Sequence, residues 1–162
     1  SVHKMDQLLK KLKGTSESKM INLHDLLTQA IAMNMNGYPQ PSLSKTCDDA
    51  FVNGDSDKLL MAINHLIKNA QDETNDEGFV ELMLNCKDDE IWLDITDTGT
   101  GMDRDFVNNQ LFKPFNSTKQ GEGMGIGAYQ IREIIHSLNG ELIVESTPQV
   151  GSKFSIYLPM AS

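Results

Sequence analysis

Two glycine clusters flank the part of the chain whose residue types are best suited to binding a ligand or to catalysis. The first, Asp97-Thr98-Gly99-Thr100-Gly101-Met102, follows a strand pattern formed by Ile91, Leu93 and Ile95. A carboxylate at the end of such a strand lies at the edge of a buried sheet, where it can accept a hydrogen bond from the amino group of a flat base. The glycines after it permit positive φ and let the backbone approach a ligand without a Cβ clash. This cluster predicts the base end of a nucleotide site.

The second cluster, Gly121-Glu122-Gly123-Met124-Gly125-Ile126-Gly127, stands just before a helical pattern. Its alternating glycines leave backbone N–H groups free, and the start of a helix adds the positive end of a dipole, so phosphates can dock there. No strand directly precedes the cluster and no Gly-Lys-Ser/Thr is present, which argues against a Rossmann or a Walker loop. A base at the first cluster and phosphates at the second describe a purine nucleotide.

A helix with one polar face precedes both clusters. Asp55 or Ser56 is the predicted N-cap, and the helix is predicted to run through Asp72. One face carries His65, Asn69 and Asp72, spaced i, i+4 and i+7, and this face points either to solvent or to a ligand. The opposite, apolar stripe consists of Leu59, Ile63, Leu66, Ile67 and Ala70.

Composition and charge restrict the kinds of partner. With 162 residues, 39% of them hydrophobic, the chain is long enough for one domain and an appendage. Its net charge of −9 argues against nucleic acid or an anionic membrane as the main partner. A polyphosphate must therefore be attracted by local positive charge, and Lys119 beside the second glycine cluster is placed to supply it.

The cysteines and the hydropathy indicate a cytoplasmic chain. Cys47 and Cys86 are too few for a disulfide framework. We also find no signal-sequence pattern and no apolar run long enough to span a bilayer.

The chain divides into three predicted parts. Residues 1–14 hold a short basic amphipathic helix with a heptad seam of Val2, Met5, Leu9 and Leu12, closed by a glycine. We interpret it as the last turns of a longer helical bundle, with a simple packing arm as the alternative. Residues 15–20 are a polar linker, and residues 21–162 are the main domain.

The main domain is predicted to be an α+β fold. Strand patterns occur at 21–23, 42–47, 50–53, 79–86, 91–95, 141–146 and 152–158, and helix patterns at 26–35, 55–72 and 128–138. Their order predicts a two-layer α/β sandwich with helices on one face of a mixed sheet.

Five motifs occur in a set order: His65-Leu66-Ile67-Lys68-Asn69-Ala70, the first glycine cluster, Phe112-Lys113-Pro114-Phe115, the second glycine cluster, and Val150-Gly151-Ser152-Lys153-Phe154. With them the chain from Ile21 to Leu158 resembles the ATP-binding catalytic domain of sensor histidine kinases, in the gyrase, heat-shock-chaperone, histidine-kinase and mismatch-repair (GHKL) superfamily. They look like its N box, first glycine box, F box, second glycine box and closing strand, with Ser152 where a Thr is usual. The run from Phe112 to Tyr129 looks most like the histidine kinase associated with the PEP-CTERM exosortase system.

The resemblance implies a Bergerat-type sandwich that binds ATP and Mg²⁺. It implies that Asn69 ligates the magnesium and that Asp97 accepts a hydrogen bond from the adenine amino group. The implied partners are ATP, an upstream phosphoacceptor domain that makes the full-length protein a homodimer, and a response regulator, without nucleic acid or membrane contact. The other implied nucleotide contacts are Asp72, Gly99, Gly101, Met102, Thr118, Lys119, Gly121, Gly123, Met124, Gly125 and Ser152.

Lys119 and His65 are the predicted catalytic residues. The Lys119 ammonium is placed to neutralise the γ-phosphate. His65 departs from the family pattern, in which ATP-hydrolysing relatives have a Glu that activates water and many histidine kinases have an Asn. A hydrolase without that Glu lacks its base, whereas phosphoryl transfer needs positioning and charge neutralisation. We therefore expect a protein histidine kinase, with a GHKL-type ATPase or a nucleotide-sensing module without kinase activity as the alternatives.

None of the histidines has the full context of a phosphoacceptor. In the family pattern an acidic residue follows the acceptor on a long bundle helix, whereas His3 precedes Lys4 and His136 precedes Ser137. His24 does precede an aspartate, but it lies where the chain resembles the family's opening strand and helix. The resemblance therefore implies that residues 1–14 are the end of the dimerisation and phosphoacceptor helix. We expect the acceptor upstream of this chain, so the chain alone is expected to be inactive.

Overall fold

The computed structural model describes residues 19–114 and 127–161 of the chain. Several predictions lie outside these residues: the helical appendage at 1–14, most of the linker at 15–20, and the second glycine cluster up to residue 126. Phe115, Thr118 and Lys119 lie outside them as well. At the other end of the predicted linker, the first strand begins at Lys19, two residues earlier than the sequence predicted.

The predicted strands and helices are present, with ends shifted by a few residues. The largest shift is at the first helix, where the Asn22 side chain accepts a hydrogen bond from Asp25 N (3.2 Å) and starts the helix directly after the strand. In chain order the elements are β1 (Lys19–Asn22), α1 (Leu23–Met33), β2 (Pro41–Lys45), β3 (Phe51–Gly54), α2 (Ser56–Glu73), β4 (Val80–Lys87), β5 (Glu90–Asp97), α3 (Arg104–Asn109), α4 (Ala128–Ser137), β6 (Glu141–Thr147) and β7 (Gly151–Pro159).

Five strands form one mixed sheet in the order β2-β4-β5-β7-β6. The β2–β4 pair is parallel, and the other pairs of this sheet are antiparallel. β1 and β3 form a separate two-stranded antiparallel sheet, which the sequence did not predict as a separate unit. The prediction of a two-layer α/β sandwich on a mixed sheet is confirmed.

The core lies between the helices and one face of the five-stranded sheet. All five residues of the predicted apolar stripe of α2 are buried. They belong to the same buried cluster as Leu82 and Leu84 of β4 and Leu93 and Ile95 of β5, which alternate along their strands. Because α2 packs on the centre of the sheet, its orientation determines which of its polar side chains face the end of β5.

Cys47 and Cys86 form a disulfide bond, with their Cα atoms 5.9 Å apart. The cysteine count gave no reason to expect this bond. The register of the parallel β2–β4 pair explains it: Lys45 lies opposite Leu84, so the chain two residues further on brings the two cysteines together. Within the described ranges, no helix is both long and apolar enough to cross a bilayer.

Candidate functional site

A cavity of about 500 Å³ opens where β5 ends. Its walls come from α2, the end of β5, the segment from Gly101 through α3, the start of α4, and β7. Six of the predicted site residues line it, and three elements far apart in sequence supply them: His65, Asn69, Asp97, Gly101, Met102 and Ser152. The structure therefore gathers the predicted N box, first glycine box and closing strand around one space.

Asp97 is the buried carboxylate of this cavity, with only 7% of its surface exposed. Its Oδ1 accepts hydrogen bonds from Gly99 N (2.9 Å) and Ser152 N (3.3 Å). Within residues 19–114 and 127–161, no Lys, Arg or His forms an ion pair with it. A buried carboxylate with only backbone N–H partners on one oxygen can accept a further donor from a ligand.

Burial raises the pKa of the Asp97 carboxyl above its usual value. The N–H groups of Gly99 and Ser152 oppose this shift because they stabilise the ionised form, and the negative charge of Glu73 adds to it. The shift reflects removal from water in a site that lacks a neighbouring cation among the described residues. A donor group on a ligand would stabilise the ionised carboxylate.

The two glycines after Asp97 are required by the protein's own backbone. A Cβ on Gly99 would lie 2.8 Å from the carbonyl carbon of Glu73. Gly101 has a φ of +69°, and a Cβ there would lie 2.7 Å from the carbonyl carbon of Thr147. Gly101 adopts the positive φ that the sequence analysis expected these glycines to permit. At both positions the chain itself occupies the space that a Cβ would need, and the close approach to a ligand stays a prediction.

Ser146 is a residue of the site's frame that the sequence analysis missed. Its Oγ accepts a hydrogen bond from Met102 N (2.7 Å) and lies 2.7 Å from the Oγ of Ser152. The Ser146 hydroxyl thereby attaches the loop after β5 to the β6–β7 hairpin. A sequence signal was present, because Ser146 and Ser152 stand at the facing ends of the two strands predicted for this hairpin, at 141–146 and 152–158.

The polar face of α2 is rotated slightly from the predicted one. His65 and Asn69 line the cavity as predicted, whereas Asp72 does not. Glu73, one turn beyond Asn69, lines the cavity instead. The sequence pattern alone did not distinguish these adjacent acidic residues, because both lie near the Asn69 side of the helix.

Of the residues at the predicted phosphate-binding end of the cavity, the structure describes those at the start of α4. Gly127 and Ala128, at the start of the ten-residue α4, line the cavity, so the positive end of this helix faces it. Gly127 N donates to Gln130 Oε1 of the first turn (2.8 Å). The predicted phosphate-binding residues Thr118, Lys119, Gly121, Gly123, Met124 and Gly125 lie outside the described residues.

The described ranges contain no group of three or more His, Cys, Asp or Glu side chains arranged to hold a metal. This excludes an all-protein metal cage in that part of the chain. It does not bear on a magnesium ion with a single protein ligand, because Mg²⁺ commonly keeps waters and takes phosphate oxygens.

Together, the sandwich and the cavity at the end of β5 define an ATP-binding domain of the GHKL type. The histidine kinase-, DNA gyrase B- and HSP90-like ATPase family matches residues 54–162, and the chain belongs to this family. Membership implies ATP as the ligand. The predicted family is confirmed. The finer resemblance of this chain to the histidine kinase associated with the PEP-CTERM exosortase system stays a prediction.

Curated relatives are sensor and sporulation kinases. Sporulation kinase A of Bacillus subtilis is 29% identical over 158 residues, which cover 94% of this chain and 25% of that protein. The sensor histidine kinase ZraS of Klebsiella oxytoca is 28% identical over 137 residues, covering 84% of this chain and 28% of that protein. The chain thus spans about a quarter of the length of these relatives.

Solved histidine kinase domains have the same fold. The catalytic domain of histidine kinase ThkA superposes with a TM-score of 0.76 at 20% identity, covering 89% of this chain and 96% of that one. The mycobacterial sensor histidine kinase MprB gives a TM-score of 0.75 at 21% identity, covering 88% of this chain and 97% of that one. A longer ThkA was solved in complex with the response regulator protein TrrA. It gives a TM-score of 0.73 at 17% identity, covering 99% of this chain and 49% of that one.

Proposed function

We propose that this chain is the ATP-binding catalytic domain of a two-component sensor histidine kinase. It presents Mg²⁺-ATP for transfer of the γ-phosphoryl group to a histidine on an upstream helical domain. The observation that carries the proposal is the buried Asp97 carboxylate, held by backbone N–H groups at one end of a cavity that Asn69 and His65 also line.

Asp97 suits adenine better than guanine. Its Oδ1 accepts from two backbone N–H groups, and its Oδ2 accepts no hydrogen bond from any described residue. An ionised carboxylate accepts from the N6 amino group of adenine and repels the O6 acceptor of guanine. Asp97 therefore favours ATP and also disfavours GTP.

Asn69 is the residue that would hold magnesium. Its side-chain amide oxygen is a neutral, hard donor on a rigid helix, and the phosphate oxygens and waters would complete the shell. When bound, the ion supplies positive charge to the phosphates. The start of α4 and, from the sequence, Lys119 would add to that charge at the γ-phosphate end.

Phosphoryl transfer depends on positioning and on charge neutralisation. We assign positioning to this cavity and charge neutralisation to the bound ion, the start of α4 and Lys119. Neither task needs a carboxylate base at position 65, where the chain has His. His65 lies one turn before Asn69 on the cavity side of α2, and we assign it to handling of the γ-phosphate region. The absence of a Glu at this position supports transfer over hydrolysis.

We propose the partners of the whole protein from its relatives, and its location from the sequence. The curated relatives are sensor kinases, and ThkA was solved with a response regulator, so we propose a response regulator as a partner here. We further propose a homodimer formed through the upstream helical domain. We place the chain in the cytoplasm, where the Cys47–Cys86 pair would be reduced.

The test is phosphoryl transfer in trans. The chain is mixed with the helical domain of its full-length protein and with γ-labelled Mg²⁺-ATP, and acid-labile label on that domain is followed. We expect label on the helical domain, and none when its acceptor histidine is replaced by alanine. ATP binding without any transfer to the helical domain would move the protein to the nucleotide-sensing alternative.

A further inference from the structure

Glu73 carries its charge at an electrostatically unfavourable place. It is the last residue of α2, where the helix dipole is negative, and the last turn of α2 contains no basic residue. It also lines the cavity that holds the buried carboxylate of Asp97. The negative charge of Glu73 is repelled by the negative end of the helix dipole and by the Asp97 carboxylate, and this repulsion lowers stability. Its contacts give a reason for a carboxylate at this position.

The side chain of Glu73 holds the turn that follows Asp97. Glu73 Oε2 accepts a hydrogen bond from Thr100 Oγ1 (2.9 Å), and Glu73 O accepts one from Thr100 N (3.1 Å). On its other side, Thr100 O accepts from Gln149 N (2.7 Å) in the turn between β6 and β7. Thr100 is therefore fixed between the end of α2 and the β6–β7 turn.

This turn determines the orientation of the Asp97 carboxylate. Gly99, the residue before Thr100, donates its N–H to Asp97 Oδ1, and it has no room to shift toward α2, because the carbonyl of Glu73 abuts it. A change in the position of Thr100 moves the Gly99 N–H, and with it one of the two bonds that hold Oδ1. A recognition group that is fixed in advance binds more tightly than one that must be ordered.

We propose that Glu73 is a positioning residue for the base end of the site, acting through the Thr100 hydroxyl on the Asp97 carboxylate. The inference rests on the proposed function, because it takes an adenine nucleotide as the ligand. An ionised carboxylate suits this task, since it is only an acceptor and its hydrogen bonds are stronger than those of a neutral amide.

The experiment measures binding of ADP and of adenosine to the full chain by calorimetry. Glu73→Ala and Thr100→Val should each weaken ADP binding about three- to ten-fold, the range expected for one hydrogen bond. Glu73→Gln keeps an acceptor at the same place and should stay within about two-fold of the unmodified chain. Glu77→Ala, which removes an exposed carboxylate outside the cavity lining, is the matched control and should bind normally.

Three further readouts separate positioning from a merely structural role. The double variant Glu73→Ala/Thr100→Val should bind no more weakly than the weaker single variant, because both changes remove the same bond. Adenosine, which has a base and no phosphate, should lose affinity by the same factor as ADP. The melting temperatures of Glu73→Ala and Glu73→Gln should not fall, because each removes a negative charge from a helix C-terminus.

Several results would overturn the inference. Normal ADP binding by Glu73→Ala is one, and normal ADP binding by Thr100→Val together with weak binding by Glu73→Ala is another. Additive losses of affinity in the double variant would also overturn it. So would a fall in the melting temperature that parallels the loss of affinity. Failure of the unmodified chain to bind ADP is a different outcome, which overturns the proposed function itself.

Discussion

At the scale of single residues, Asp97 combines a cost to the fold with a use in the site. Its carboxyl is buried, and its hydrogen bonds from described residues are the backbone N–H groups on Oδ1. Burial raises its pKa, so ionised Asp97 is less stable in the folded chain than in water. A nucleotide amino group would offset this cost by donating to the other oxygen.

Replacing Asp97 by Asn tests its role in binding. The side chain keeps its size and the acceptor for Gly99 N, but one oxygen becomes an NH₂ donor, which faces the donor group of adenine. Loss of a hydrogen bond to a charged group should weaken ATP binding by about 1.5–3 kcal/mol, measured by calorimetry. Equal ATP affinity for the two proteins would refute the assignment of Asp97 to the adenine amino group.

The same variant should be more stable than the unmodified chain at neutral pH. Because the carboxyl pKa is raised on folding, the folded state holds the proton more tightly than the unfolded chain, and ionisation lowers stability as the pH rises. Asp97→Asn should therefore raise the melting temperature at pH 7, with the gain shrinking as the pH falls from above the raised pKa of Asp97 toward the ordinary value of 3.8. A lower melting temperature at pH 7 would contradict the direction of this shift.

At the scale of elements, the segment after β5 is shaped by contacts with its neighbours. Gly99 abuts the end of α2, and Gly101 abuts the β6–β7 turn. Asp103 then caps α3 by accepting from Phe106 N (2.7 Å). Further along, the Arg132 guanidinium of α4 lies 4.5 Å from the centre of the Phe112 ring, which joins the end of this segment to α4. The segment is therefore positioned at both of its ends.

Gly101→Ala should destabilise the fold. Its φ of +69° disfavours any residue with a Cβ, and that Cβ would overlap the carbonyl of Thr147. We expect a loss of about 1–3 kcal/mol, or more if the backbone cannot shift, measured by chemical denaturation. Gly127→Ala is the matched control, because φ there is −91° and, among the described residues, the added Cβ would meet only the flexible Gln130 side chain. Similar losses in both variants would show that the close packing at Gly101 is not the cause.

At the scale of the whole molecule, the chain has the ATP-binding half of the proposed reaction. The curated relatives are about three to four times its length, so the rest of the machinery is sought in their other parts. No histidine in the chain has the full acceptor context, and position 65 has His in place of a hydrolytic Glu. The isolated chain should therefore bind ATP without consuming it.

Incubation of the isolated chain with γ-labelled ATP should give neither labelled protein nor more than trace released phosphate. Once the helical domain is supplied, Lys119→Ala should slow transfer more than it weakens ADP binding, because that ammonium is assigned to the γ-phosphate. Rapid multiple-turnover hydrolysis by the isolated chain would favour the ATPase alternative. Label retained on the chain itself would identify one of its own histidines as an acceptor, with His24 the first to examine.

Much of the architecture was predictable because it depends on neighbours along the chain. The 3.6-residue period of Leu59, Ile63 and Ile67 marked the buried face of α2. Asp55 or Ser56 marked its start, and the structure makes Asp55 the N-cap. Alternation marked β4 and β5. Motif order then placed His65, Asn69, Asp97 and Ser152 at one site, and the structure brings these four together around the cavity.

Other features were decided only by tertiary structure, because they join residues whose approach depends on strand register and helix rotation. Thr100 meets Glu73 across 27 residues of sequence, and Met102 meets Ser146 across 44. Cys47 and Cys86 are 39 residues apart and become neighbours only through the parallel β2–β4 register. A periodic pattern gives the face of an element but not its partner, since the partner is selected by packing of the complete core.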